Sequence, residues 1–272
     1  MRLVPLLFYA ASAAAYGAHF AWRDPRIGRF ATALLGTGVL GHTFLIGMQT
    51  VQAGHAPLVG TTAAVSAFVW LLGLAYLYVE LTSDERSMGV FVTVLLVLLG
   101  ILPALDSGLS PLPPVLQSPL FTVHVITMLF AYASFALAGV LGLTYVLMFN
   151  EIKAKHLGFF YTRLPSLRVL DVMNGRAVAV GWIFLTTGVA IGGIWAMQVQ
   201  GSPDPRVQAM SLGDPKILVA VMCWMLYSFA LYARRVIGWS GRRAAWLSAV
   251  GFVVVLLNFV PVGYFFTRSH NF

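Results

Sequence analysis

Long apolar runs broken by short polar connectors set the pattern of this chain. Eight runs stand out: Leu3–Ala21, Phe30–Gln49, Val59–Leu81, Met88–Ala104, Pro119–Phe149, Arg176–Val199, Ile217–Ala233 and Ala244–Phe265. A helix rises about 1.5 Å per residue, so runs of this length suit a hydrocarbon core about 30 Å thick. Unpaired backbone groups are costly in lipid, and the runs are therefore read as helices. Pro119–Phe149 is the longest, 31 residues without a formal charge. The first run follows directly on Arg2 and continues to Trp22, too long for the apolar core of a signal peptide, so it is read as a retained span. The expected fold is all-α, a polytopic membrane bundle of eight transmembrane helices forming a single transmembrane domain over residues 1–272.

The connectors orient the bundle. Of the seventeen Lys and Arg residues, four (Arg2, Arg206, Lys216 and Arg268) fall at the termini or in the connectors after the second, fourth and sixth runs, and the other thirteen fall in the remaining connectors. Basic residues collect on the cytoplasmic side, which predicts that both termini lie on the outer side of the cell's inner, cytoplasmic membrane. The net charge of +8 is thus a topology signal and does not point to nucleic acid. Residues 150–175, with RLPSLRVLD in their middle, are expected to form a basic cytoplasmic loop lying on the anionic leaflet. The Pro-rich stretch LDSGLSPLPPVLQS and residues 200–216 are expected outside.

Composition narrows the chemistry. The chain is 59% hydrophobic and 10% charged with a mean hydropathy of +0.85, against about 25% charged residues in soluble domains. No additional globular domain is expected within these 272 residues. Cys223 is the only cysteine, which excludes a CxxC redox pair, a thiolate zinc site and an internal disulfide. Glu80 is essentially the only carboxylate within the runs and is expected to reach the interface from the inner end of the third helix. A proton-coupled carrier would place an acid deep in the bundle, so ion transport is disfavoured.

The histidines are the candidate functional groups. His124 lies five residues inside the outer end of the fifth helix, about 7–8 Å down, and His42 seven residues below Gln49, about 10 Å down. Two imidazoles at similar depth can face each other across a metal or a haem iron, and each can equally be satisfied by a hydrogen bond to a neighbouring helix. Gly38, Gly41 and Gly47 would admit a flat ligand or another helix beside His42. His270 ends the chain in FFTRSHNF on the outer side with His124, His55 is expected to be solvated, and neither His19 nor His156 has an evident partner. A two-haem b-type electron carrier would need a second histidine pair near the inner side, where only His19 offers itself.

Several segments taken together are similar to one family. PLFTVHVITMLFAYASFALAGVLGLTYVL, LPSLRVLD followed by GRAVAVGWIFLTTGVAIGGIWA, DPKI followed by GWSGRRAAWLSAVGF, and the ending LNFVPVGYFFTRSHNF match in order and spacing over nearly the full length. GHTFLIGMQ adds an intramembrane histidine. The chain resembles the cytochrome c assembly superfamily of haem-handling membrane proteins (the CcsA, CcmC and HemX type), and in size its small HemX-like branch. The resemblance implies a haem-binding protein of cytochrome c biogenesis that holds haem, as haem b, near the outer face and works with apocytochrome c or other assembly subunits. It implies His124 and His270 as axial ligands and His42 as an intramembrane candidate, with Trp195 and Lys216 bordering the haem loop. The better characterised members carry an outer loop of the form WGxxWxWD. Here Trp195 and Asp214-Pro215-Lys216 remain at its ends, and MQVQGSPDPRVQAMSLG between them has no tryptophan. With no reactive thiol and no outer acid–base pair, the chain is read as a carrier that does not itself form the thioether bond. A HemX-type regulator of a haem-synthesis enzyme, acting through residues 150–175, is the second reading.

Overall fold

The computed structural model describes residues 2–106, 114–155, 158–202 and 215–257. They form eight α-helices: α1 (Leu3–Trp22), α2 (Pro25–Ala53), α3 (Thr61–Ser83), α4 (Gly89–Leu105), α5 (Pro119–Lys153), α6 (Leu167–Val199), α7 (Pro215–Tyr232) and α8 (Arg242–Leu257). A 3-10 turn, Pro114–Leu116, precedes α5, and a π-helical segment, Ala233–Ile237, extends α7. Local chemistry sets several ends. Asp24 caps α2 by accepting from the backbone N–H of Arg26 at 2.7 Å, with Pro25 in the first turn, and Gly54 ends α2 in the left-handed region.

Six of these helices (α1, α2, α3, α5, α6, and α7 with its π extension) are long and apolar enough to cross a membrane, and α4 is a shorter apolar helix of 17 residues. The protein is a multi-pass, all-helical membrane protein. The first four helices pack as one set, through α1 on α2 and α4 and through α3 on α2 and α4. In the second set α5 packs on α6 and α8, and α7 on α6 and α8. The two sets meet chiefly where α3 lies against α5.

Close approach within the second set depends on glycine. A Cβ at Gly181 would lie 2.5 Å from the Phe135 ring, and one at Gly142 would lie 2.5 Å from the carbonyl oxygen of Ala245 on α8. Small residues of this kind let helices pack tightly where lipid supplies no hydrophobic drive.

Two sequence expectations change. First, α6 begins at Leu167, nine residues before the apolar run, so the basic connector is shorter than residues 150–175 and Leu167–Gly175 is helix. The reason is polar pairing. The Asp171 carboxylate accepts from both terminal nitrogens of Arg234 (3.0 and 2.9 Å) and from the N–H of Gly241 (3.0 Å). Asn174 donates to the carbonyl of Ala138 (2.8 Å) and accepts from the Ser248 hydroxyl (3.0 Å). Hydropathy ends a span at such residues, whereas the helix continues because each finds a partner. Second, Glu80 does not reach the interface: it is 0% exposed. Its carboxylate accepts from the Tyr16 hydroxyl at 2.6 Å and from the Thr32 hydroxyl, which joins α3 to α1 and α2.

Candidate functional site

At one end of the bundle Val59, Leu116, Phe121 and Trp195 gather in a small apolar cluster. They come from the α2–α3 connector, the 3-10 turn, the start of α5 and the end of α6, so the chain reversals bring these segments to the same side. The Phe121 and Trp195 rings lie 5.1 Å apart at 50°. Trp195 is 5% exposed, and its indole N–H has no hydrogen-bond partner among the described residues. A buried donor without a partner costs free energy, about 1–3 kcal/mol, and marks a place where an acceptor would be gained.

His124 lies one helical turn deeper, on the α5–α6 seam. Its Nδ1 donates to the carbonyl oxygen of Gly188 at 2.7 Å. A carbonyl only accepts, so the proton sits on Nδ1, and in the neutral ring Nε2 is the basic nitrogen. Metal-binding imidazoles are oriented in this way, by a backbone or carboxylate acceptor behind the ring. Glycine makes the approach possible: a Cβ at Gly192 would lie 2.6 Å from ring atoms Cε1 and Nδ1, and one at Gly188 would lie 2.9 Å from the Met128 sulfur. Gly188 and Gly192 are four residues apart and share a face of α6. The Thr127 hydroxyl donates to the carbonyls of Val123 and His124, both at 2.8 Å, and stays on its own helix. This glycine pair was not singled out in the sequence, although its i, i+4 spacing near the outer end of the sixth run is visible there.

His42 sits among the first four helices and is 4% exposed. Its Nδ1 bonds the Tyr9 hydroxyl at 3.1 Å and its Nε2 the Ser66 hydroxyl at 3.0 Å, so α1, α2 and α3 meet on one imidazole. Tyr9 lies six residues inside α1, Ser66 five inside α3 and His124 five inside α5, so the two histidines lie at comparable depth. They nonetheless belong to separate contacts: His42 is committed to α1 and α3, and His124 to α6. Beside His42 a narrow cleft reaches Arg2 and Gln49, with room for a water molecule and none for a macrocycle. His55 and His19 bond backbone carbonyls of Ala56 and Asp24 at 3.1 and 2.8 Å. His270, His156, residues 203–214 and the side chain of Lys216 lie outside the described residues.

A family model described as "Cytochrome C assembly protein" matches residues 4–270, nearly the whole chain. The chain belongs to the cytochrome c assembly protein family. Among its relatives are proteins named "Cytochrome c biogenesis protein CcsA". The one from Guillardia theta is 24% identical over 250 residues, covering 85% of this chain and 81% of its own. That from Trieres chinensis is 25% identical over 261 residues, covering 84% and 81%. That from Chlamydomonas reinhardtii is 26% identical over 250 residues, covering 88% and 67%. In this cytochrome c assembly protein the His124 contacts with Gly188 and Gly192 and the Phe121–Trp195 cluster both lie toward the same end of the α5–α6 seam.

Proposed function

We propose that this chain carries haem as cargo at the outer end of its bundle in the cell's inner membrane, in the service of cytochrome c biogenesis. Eight helices cross the bilayer with both termini outside, a reading supported by the thirteen basic residues of the inner connectors. The observation that carries the proposal is the His124–Gly188 bond, which fixes the ring on α6 and makes Nε2 the basic nitrogen of its neutral form. Haem bound through such a nitrogen, as haem b, takes His124 as one axial ligand and His270 as the other.

Two features of the residues suit this cargo: the oriented imidazole, which Gly188 and Gly192 allow to lie against α6, and the Trp195 N–H, which has no partner among the described residues and lies among apolar side chains. Phe121 and Trp195 exclude water from the upper side of the site. Lys216, at the start of α7, supplies a cation for a propionate at the rim. His42 bonds Tyr9 and Ser66 through its two nitrogens beside a water-sized cleft, so it serves as an intramembrane ligand only after exchanging Tyr9 or Ser66 for iron. The protein hands haem to apocytochrome c or to partner assembly subunits.

The test is the absorption spectrum of the detergent-purified protein with added hemin, wild type beside His124→Ala, His270→Ala and His42→Ala. The expected result is a Soret band in the wild type that collapses in His124→Ala and His270→Ala and persists in His42→Ala. No band in the wild type, or a band indifferent to His124→Ala, overturns the proposal.

A further inference from the structure

A second feature lies at the other end of α6, on the face where the two helix sets meet. Arg176 is nine residues inside α6, on the flank of the helix, exposed, and without a hydrogen bond or ion pair among the described residues. It lines a small crevice between α3, α5 and α6 together with the exposed Tyr78 and with Phe130, Leu137 and Val180. The surface of the crevice is almost wholly apolar even with Arg176 and Ser134 in its lining, so the guanidinium opens outside it, at the rim. Its depth follows from the helix lengths. A core about 30 Å thick takes about 20 residues, and counting back that far from Val199 ends close to Arg176. The guanidinium is therefore at headgroup level and the apolar walls are at acyl-chain level.

We infer that this crevice is a binding site for one anionic phospholipid, its phosphate held by Arg176 and an acyl chain lying between α3 and α5–α6. The charge selects the occupant. An unpaired guanidinium at the membrane boundary is complementary to a phosphate, which it can bind through two parallel N–H donors. Basic pockets between helices at the cytoplasmic surface are favourable places for such headgroups. A tyrosine at the same level is typical of an interface anchor. The location gives the lipid a role, because α3 belongs to the first helix set and α5 and α6 to the second, so a chain lying across the crevice, which is itself far smaller than an acyl chain, covers part of their junction. This site is independent of the haem reading.

The experiment is native mass spectrometry of the full chain released from bilayers of equal phosphatidylglycerol and phosphatidylcholine. The wild type is expected to retain one phosphatidylglycerol in preference to phosphatidylcholine. Arg176→Gln should lower that preference about fivefold, the effect of one basic residue at a membrane surface. Arg235→Gln, which removes an exposed charge away from the crevice, should leave it unchanged. Val180→Phe, which fills the crevice from its partly exposed wall, should reduce retention of both lipids. Each variant is first checked for wild-type helicity and monodispersity. Equal retention of the two lipids by the wild type, an unchanged preference in Arg176→Gln, or an equal loss in Arg235→Gln overturns the inference. Retained haem that is lost in Arg176→Gln would likewise overturn it, since the crevice would then hold a different amphiphile.

Discussion

Gly192 and Gly193 are adjacent on α6 and offer a matched test of the His124 site. A Cβ at Gly192 would lie 2.6 Å from the His124 ring, whereas one at Gly193 would meet nothing within 4 Å. Ordinary carbon contacts lie near 3.5–4.0 Å, so Gly192→Ala requires the ring or the helix to move by about 1 Å. Overpacking of this kind costs about 1–3 kcal/mol. The ring cannot swing aside freely, because Nδ1 is held by the Gly188 carbonyl, and giving up that bond costs about 1 kcal/mol, within the same range. The change in helix propensity is common to both substitutions and cancels in the comparison. The assay is equilibrium unfolding in mixed micelles with a rising SDS fraction. Gly192→Ala should be less stable than Gly193→Ala by about 1–3 kcal/mol. With hemin, the same displacement should raise the half-saturation concentration of Gly192→Ala about fivefold to a hundredfold and leave Gly193→Ala near wild type. Equal stability of the two variants, within about 0.5 kcal/mol, would refute the placement of His124 against α6.

Two further outcomes concern the polar contacts elsewhere. Asp171→Ala should cost about 2–3 kcal/mol in the same unfolding assay, below the usual cost of breaking a fully buried pair because both side chains keep about a fifth of their surface. The double variant with Arg234→Ala should recover part of that loss, and strict additivity would show that the pair contributes nothing of its own. Glu80→Leu strands the Tyr16 hydroxyl, while Thr32 keeps the Gly28 carbonyl as an acceptor, and should cost about 1–3 kcal/mol, whereas Glu80→Gln keeps an acceptor for Tyr16 and should cost less; the reverse order in the unfolding midpoints would contradict the network.

The number and placement of the helices were legible from hydropathy, because each α-helix overlaps one apolar run. The ends were less so. Asp171 and Asn174 read as an exit from the membrane, and only their partners Arg234, Gly241 and Ser248, about sixty to seventy-five residues further along the chain, keep α6 helical through them. Glu80 shows a signal that was present and overlooked. It continues the stripe Val69, Leu72 and Tyr76 at helical spacing, and all three are fully or almost fully buried. A carboxylate in that register faces the neighbouring helices and cannot turn to the interface. His42 likewise continues the buried stripe of Ala31, Leu35 and Val39. Its burial could be read from α2 alone, whereas Tyr9 and Ser66 as its two partners could not, since they come from other helices. The register of α5 on α6, which sets Gly192 against His124, is a property of the assembled pair.

The buried polar groups of this bundle differ in how completely they are paired, and the difference separates scaffold from site. The Asp171 carboxylate accepts from Arg234 and Gly241, and Asn174 both donates and accepts. Such closed networks hold helices in one arrangement and leave little for a ligand to gain. The hydroxyls of Tyr76 and Tyr227, also without a hydrogen-bond partner among the described residues, lie in the packed interiors of the two helix sets, with Tyr227 stacked on Phe135 at 3.6 Å. Trp195 differs in position. Its N–H, without a partner among the described residues, lies four residues from the end of α6, beside Val59 and Leu116 of the connecting segments on that side. A donor without an acceptor is a cost to the fold alone. It is tolerated most readily where another molecule completes it, and here it lies toward the same end of α6 as the imidazole of His124, held by a backbone carbonyl from that helix.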